Sequence, residues 1–200
     1  MTLSGYQLIQ YAQQGVLPLT LLQDSVDFVL GLSPFELSGL LLAGTFLLGG
    51  ILLGLLPSYS SKTIETARQS PVISVFVGIP ATLVLVMFLY LAVVISESSI
   101  GIFFAIPLVT VTLGLLPAWT VLGVVTTGTF LGARVGRDTV TVGLLAGVLL
   151  VGALAFVVEV LVVVGALVSC LGVGAGTRVL VSGGTTTDPE QRKVPPANKI

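Results

Sequence analysis

Histidine is absent from this 200-residue chain, and cysteine occurs once, as Cys170. Haem centres, transition-metal sites and histidine-based acid–base catalysis are therefore not expected, because they depend on these side chains. A single thiol cannot form an internal disulfide, so cysteine usage gives no indication of the redox compartment. The sequence predicts no metal site and no cofactor.

Charged residues are also scarce. Asp, Glu, Lys and Arg make up 8% of the chain, against roughly a quarter in an ordinary soluble domain. The formal net charge is −1, and no basic patch is large enough to indicate nucleic-acid binding. A soluble protein of this size could not cover its surface with so few charges, whereas a bilayer removes that requirement. No Lys or Arg precedes Lys62, so a secretory signal peptide is not expected.

Long apolar runs are what the chain has in abundance: 54% of its residues are hydrophobic and the mean hydropathy is +1.12. These runs are far longer than the ~10-residue alternating segments of a membrane β-barrel. Inside lipid the backbone must satisfy its own hydrogen bonds, so each run is expected to form a helix. The predicted fold class is an all-α integral membrane protein with five transmembrane helices.

Three of the predicted spans cover residues 38–56, 71–95 and 101–132. The third is too long for one straight crossing, which predicts tilt or a kink at Pro107 or Pro117. The whole bundle is expected to occupy residues 38–180. Residues 1–37 are predicted to be an interfacial, extracytoplasmic segment, with a loosely ordered tail as the alternative. Residues 181–200 are predicted to be a disordered cytoplasmic tail.

The last apolar block, residues 139–180, is predicted to be a helical hairpin, with spans at 141–158 and 160–177 and Glu159 at the turn. The alternative is one long helix, which would bury the Glu159 carboxylate at a cost of a few kcal/mol. In a five-span arrangement all eight Lys and Arg residues fall on one side. The positive-inside rule then places the N-terminus outside and the C-terminus in the cytoplasm.

Glycine pairs at GxxxG spacing are frequent and predict close helix packing, because glycine lets another backbone approach. Packing within one chain is favoured over packing between chains, and a homo-oligomer stays open. The predicted packing residues are Gly50, Gly54, Gly128, Gly132, Gly143, Gly147, Gly172 and Gly176. The segment from Gly172 to Gly176 has GxGxG rather than GxGxxG spacing and follows a membrane-like run, so nucleotide binding is not predicted.

The candidate intramembrane polar site consists of Glu159 with Thr120 and Thr127 of the third span. Glu159 could serve as a proton or cation site, as intramembrane carboxylates do. A carboxylate wetted at a hairpin turn is the favoured alternative, since no second acid, Lys or amide lies nearby in sequence. The threonines could line a polar pathway through the membrane. The favoured interpretation is that their hydroxyls hydrogen-bond carbonyls of their own helix or a neighbouring helix. No catalytic set is present, and the chain is not expected to be an enzyme.

From about residue 66 the chain resembles the multi-span membrane domain of prokaryotic bactofilin-like, polymer-forming membrane proteins. The motifs that carry this resemblance are Thr66-Ala67-Arg68, Ser70-Pro71, Ile100-Gly101-Ile102, Ile106-Pro107, Gly128 to Gly132, Val135-Gly136-Arg137 and the glycine-rich close at 171–176. The chain departs from that family by lacking the polymerising domain and by carrying Glu159 where an Ile-Pro-Gly-type turn is usual. The resemblance implies a membrane anchor or scaffold.

The expected function is therefore that of a small non-enzymatic scaffold or anchor in the plasma membrane. Its partners would be the lipid bilayer and another membrane or cytoplasmic protein, reached through cytoplasmic loops and the tail. The alternative is a small transporter or channel component that uses Glu159 and the third-span threonines.

Overall fold

The computed structural model describes residues 27–28, 31–96, 98, 100–137 and 139–182. Within these ranges the regular structure is entirely helical, as the composition predicts. The helices are α1 (Pro34–Leu55), α2 (Pro57–Gln69), α3 (Pro71–Ile95), α4 (Gly101–Arg134), α5 (Val140–Leu154) and α6 (Val158–Val181). Four of them, α1, α3, α4 and α6, are long and apolar enough to cross a membrane. The all-α membrane class is confirmed at this level.

Helix α1 begins four residues before the predicted start of the first span, at Pro34. A capping box explains the earlier start: the Ser33 backbone N–H donates to Glu36 Oε2 at 2.8 Å, and the Glu36 N–H donates to Ser33 Oγ at 3.4 Å. These bonds satisfy backbone donors that the first helical turn leaves free. Most of the predicted interfacial segment, residues 1–26 and 29–30, lies outside the described residues, as does the tail from residue 183.

Helix α2 follows the first span directly, in a polar segment for which the sequence analysis predicted no helix. A single residue, Leu56, separates it from α1, and Pro57 occupies its first turn, where the missing N–H is not needed. Its buried residues recur at helical spacing: Ser60, Thr63, Ile64 and Ala67. That period gives a short polar helix one face with which to pack against the bundle.

Helices α3 and α4 agree closely with the second and third predicted spans. Helix α3 has the predicted bounds, and α4 extends two residues further than predicted, to Arg134. Helix α4 continues through both Pro107 and Pro117. Its 34 residues correspond to about 51 Å at 1.5 Å per residue, well beyond the roughly 30 Å of hydrocarbon in a bilayer.

The last apolar block is broken at residues 155–157 into α5 and α6, as the hairpin prediction requires. Glu159 lies in the first turn of α6, two residues beyond the turn, and its side chain is exposed. Helix α5 has only 15 residues, about 22 Å at 1.5 Å per residue. It is therefore shorter than the roughly 30 Å hydrocarbon core, and a fifth crossing is not established by helix length.

Helix α4 lies at the centre and contacts each of the other five helices. From Trp119 to Thr129 it is buried on nearly every side, and Leu122 and Val125 are fully enclosed. The outer surface is apolar instead of charged: Phe76 and Tyr90 of α3 are 71% and 67% exposed. A surface of this kind is stable against lipid and not against water.

The relative directions of α1 and α5 follow from two contacts, one near each end of this helix pair. At the start of α1, the Phe35 and Phe156 ring centroids lie 6.0 Å apart, and further along α1 Gly49 lies against Leu144. Helix α5 therefore runs opposite to α1. Glu36 follows Phe35 and Glu159 lies three residues after Phe156, so both carboxylates lie at the end of the bundle where these two rings meet.

At the opposite end, Arg178 Nη1 donates to Ser74 Oγ at 3.0 Å, near the start of α3 and the end of α6. Helix α2 packs against α6 at this end. The described bases therefore gather away from the end that holds Glu36 and Glu159.

Candidate functional site

Helices α4 and α5 touch through glycine backbones. A Cβ added at Gly128 would overlap the Gly143 carbonyl oxygen, and one at Gly147 would lie 2.5 Å from the Val124 carbonyl oxygen. A Cβ at Gly143 would overlap the Thr129 methyl group, and one at Gly132 would lie 2.8 Å from the Arg137 carbonyl oxygen. Such close approach is possible only without side chains at the crossing.

Helix α6 makes glycine contacts on two sides. Added Cβ atoms at Gly172 and Gly174 would overlap the carbonyl oxygens of Trp119 in α4 and Ser74 in α3, respectively. Gly176 faces the Trp119 indole. The whole glycine-rich segment is helical and buried, so its N–H groups serve the helix and do not form a phosphate-binding loop.

Gly50 and Gly54 meet no other helix in the part of the chain that the structure describes, so packing at this pair stays a prediction. A Cβ added at either position meets no atom within 4 Å. The GxxxG pattern provides a groove, but it does not say whether a neighbouring helix is present. Here α5 and α4 approach a different face of α1, at Gly49, which contacts Leu144 and Val121.

Several contact glycines were not predicted, among them Gly78 and Gly123. An added Cβ would overlap the Cys170 carbonyl oxygen at Gly78 and the Val168 carbonyl oxygen at Gly123. Gly78 stands four residues after Ser74, so a search for any pair of small residues at this spacing would have found it. Gly123 stands four residues before Thr127, so the same search would have found it as well.

The threonines of α4 bond mainly to their own helix. The hydroxyls of Thr120 and Thr127 donate to the carbonyl oxygens of Leu116 and Gly123, at 2.8 and 2.9 Å. Thr110 and Thr126 make the same bond to the carbonyl four residues earlier. Thr112 is different, because its hydroxyl reaches the Leu85 carbonyl oxygen of α3 at 3.4 Å. Most of these hydroxyls therefore have their hydrogen-bond acceptor within α4 itself.

An intramembrane cavity of about 330 Å³ brings Thr120 and Thr127 together. Its walls come from α1, α4, α5 and α6, and most of them are Leu and Val side chains. Two further hydroxyl residues line it, Thr45 of α1 and Ser169 of α6. Glu159 does not line this cavity, so the three residues of the predicted polar site are not assembled in one place.

A polar cluster fastens α2 to the bundle. The Trp119 indole N–H donates to the Tyr59 hydroxyl at 2.7 Å, and that hydroxyl donates to the Gly176 carbonyl oxygen at 3.2 Å. Burial raises the pKa of the Tyr59 hydroxyl above its usual value, and the hydrogen bonds with Trp119 and Thr63 partly oppose this. Tyr59 is therefore held neutral as a structural link between three helices.

Acidic and thiol groups are dispersed. Across the described part of the chain, no group of three or more Asp, Glu, Cys or His residues could hold a metal ion. Cys170 is partly buried, and its Sγ lies 4.0 Å from the Thr82 hydroxyl. The polar side chains of the cavity described above are therefore hydroxyl groups in apolar surroundings.

Comparison with known proteins found no match for this chain. No family model, curated protein or solved structure matches it. The resemblance to bactofilin-like membrane domains therefore rests on the short motifs of the chain itself, and its functional implication is a proposal.

Proposed function

We propose that this chain is a small non-enzymatic membrane scaffold or anchor that holds a partner protein at one end of its helical bundle. The observation that carries this proposal is the docking of α2. Its inner face is buried through Ile64 and Ala67, and Tyr59 links it to Trp119. A polar helix held in this way presents a fixed surface to an aqueous partner.

The outer face of α2 offers the chemistry that a protein partner would recognise. Its exposed residues are Ser58, Ser61, Lys62, Glu65 and Gln69. The Gln69 side-chain amide donates to Glu65 Oε1 at 3.1 Å, which orients both side chains along this face. Both signs of charge occur here, a composition that suits a specific polar contact better than a nonspecific anionic surface.

The finer topology belongs to the same proposal. Five crossings, with α5 as a short fourth span, would place α2 and all the bases in the cytoplasm. The membrane would be the plasma membrane of a prokaryotic cell. The cytoplasmic tail and the segment around Arg137 would complete the contact surface, and association of several copies is compatible with it.

Site-specific photo-crosslinking of the full chain in its own membrane tests the scaffold proposal. A photoreactive benzoylphenylalanine in place of Glu65 should give one discrete protein adduct, and Ser61→Arg on the same face should weaken that adduct. The same photoreactive group in place of Glu159, exposed at the opposite end, is the matched control. Equal adducts at both ends, or none at Glu65, would contradict the proposal.

A small transporter or channel component is the second candidate. The observation in its favour is the shared cavity of Thr120 and Thr127. The bonds of both hydroxyls to their own helix and the position of Glu159 outside the cavity weigh against a continuous polar path. Ion or proton flux through reconstituted vesicles, abolished by Glu159→Gln, would promote this candidate over the scaffold.

A further inference from the structure

The cavity between α5 and α6 has a structural cause. Helix α5 packs closely against α4 at Gly143 and Gly147. Helix α6 packs closely against another part of α4 at Gly172. The two helices are consecutive in the chain, yet they make few contacts with each other. The space between them is also lined by Thr45 of α1 and by Val121 and Val124 of α4.

Among the residues that the structure describes, no charged side chain lines this cavity. Its wall consists of aliphatic residues, one glycine (Gly165) and the four hydroxyl residues Thr45, Thr120, Thr127 and Ser169. The volume, about 330 Å³, is within the range of roughly 300–1,000 Å³ that small-molecule sites occupy. An ionic ligand would lose its solvation here without a compensating charge, so the wall selects an uncharged molecule.

Thr45 distinguishes this cavity from a packing defect. The Thr120 and Thr127 hydroxyls are satisfied by the carbonyl oxygens of their own helix, and Thr120 Oγ1 lies 3.2 Å from Ser169 Oγ. Thr45 is 9% exposed and lines the same cavity. In the part of the chain that the structure describes, its hydroxyl makes no hydrogen bond, and because no enclosed side-chain oxygen there lacks a partner, this hydroxyl is open to the cavity. It can therefore donate to an acceptor atom of a molecule that enters the cavity.

We propose that this cavity binds a neutral lipophile that carries a carbonyl oxygen, with the Thr45 hydroxyl donating a hydrogen bond to that oxygen. Thr45 lies at the middle of α1, eleven residues from its first residue, or about 17 Å along the helix. In a spanning helix this depth is far from the ester groups of phospholipids. The ligand class is therefore an uncharged ketone- or quinone-like molecule that dissolves in the hydrocarbon core.

Trp119 provides a direct assay, because it is the only tryptophan and the next residue, Thr120, lines the cavity. The probe is a decyl-substituted benzoquinone, which quenches tryptophan fluorescence, added to the full chain in phosphatidylcholine vesicles. Specific binding gives saturable quenching, whereas dissolution in the bilayer gives quenching that rises linearly with the probe. Linear quenching of the unmodified chain would overturn the proposal.

Gly165→Leu fills the site, since Gly165 lines the cavity and an added Cβ there meets no atom within 4 Å. This variant should lose the saturable component. The matched control is Gly114→Leu on α4, which adds the same side chain where no atom lies within 4 Å and which does not line the cavity. Equal loss in both variants, or in neither, would overturn the proposal.

Thr45→Val tests the hydrogen bond while nearly preserving the shape of the side chain. Its affinity for the quinone should fall about fivefold, the effect of one net hydrogen bond. A brominated alkane of similar length, which quenches but has no carbonyl, should bind both forms equally. If Thr45→Val leaves quinone affinity unchanged, the hydroxyl has no role and the proposed ligand class is wrong. These outcomes are independent of the crosslinking test of the scaffold proposal.

Discussion

The Trp119 indole N–H and the Tyr59 hydroxyl lie 2.7 Å apart in a hydrogen bond that joins the centre of α4 to α2. The same hydroxyl donates to the Gly176 carbonyl oxygen of α6. One tyrosine therefore connects a polar helix, the central helix and the last helix. The position of α2 depends on this link and on the burial of Ile64 and Ala67 beside it.

Tyr59→Phe should loosen α2 from the bundle. The substitution leaves the Trp119 N–H without its acceptor, at a cost of about 1–3 kcal/mol of unfolding free energy, and it also removes the bond to the Gly176 carbonyl. Thermal unfolding in mild detergent, followed by Trp119 fluorescence, measures the effect. Tyr90→Phe is the control, because Tyr90 is 67% exposed on α3. Equal stability of the two variants would mean that the Tyr59 link contributes nothing.

The stability of the chain should fall at alkaline pH because of Tyr59. Burial raises its pKa above the usual value of 10.0, so the folded state holds a proton that the unfolded state releases. The stabilisation is complete below pH 10 and is lost as pH rises through the folded pKa. Unfolding midpoints of the unmodified chain and Tyr59→Phe should therefore converge above this range. A constant difference across the whole pH range would refute the assignment.

Gly172→Leu should severely destabilise the bundle, because an added Cβ would overlap the Trp119 backbone carbonyl, which cannot move aside as a flexible side chain would. We expect a loss of at least about 3 kcal/mol, the upper part of the usual range for overpacking. Gly54→Leu is the matched control, since it introduces the same side chain where no atom lies within 4 Å. Thermal unfolding in detergent compares them. A large loss in Gly54→Leu would indicate that α1 has a contact outside the residues that the structure describes.

Glu159→Gln should leave expression and thermal stability nearly unchanged, because the side chain is exposed in the first turn of α6. A water-soluble carbodiimide should label this carboxylate in the intact protein, and a lipid-soluble one should label it poorly. Mass spectrometry of the modified peptide distinguishes the two reagents. Labelling by the lipid-soluble reagent alone would place Glu159 in the hydrocarbon core and favour the transporter candidate.

Cysteine labelling tests the five-span topology on a Cys170→Ser background. Single cysteines in place of Lys62, Arg134 and Lys193 should be protected from an impermeant thiol reagent in intact cells, whereas those in place of Glu97 and Glu159 should react. Opposite labelling of Arg134→Cys and Lys193→Cys would show that α5 and α6 do not both cross the membrane. The short length of α5 makes this pair the decisive comparison.

Some features of the fold could be predicted from local sequence alone. Apolar runs bounded by Pro57, Pro71 and polar turns predicted helices close to those observed, because a backbone in lipid has few alternatives to a helix. The break in the last apolar block was predicted from its length and from a single charge, Glu159. The polar helix α2 was not predicted, because the helical spacing of its buried residues was not used: Ser60, Thr63, Ile64 and Ala67.

The candidate site was predictable only in part. Thr120 and Thr127 were identified and do line one cavity, but Thr45 and Ser169, on other helices, were not. Thr45 is distant in sequence from the residues opposite it, and no pattern within α1 indicates that it faces a cavity. The same limit applies to glycine: a Cβ at Gly172 would overlap a backbone carbonyl, while Gly54, in another copy of the GxxxG motif, has no described atom near it.

The sequence by itself determined that this is an all-helical membrane protein and where its long apolar helices lie, because hydrophobicity and proline position act locally. Tertiary structure alone decided that Trp119 reaches Tyr59, which glycines are contact points, and that α5 and α6 separate to leave a cavity. These features depend on which helices become neighbours and at what angle they cross. A glycine or threonine defines a surface on its own helix, and only the neighbouring helix decides whether that surface is packed, bonded or empty.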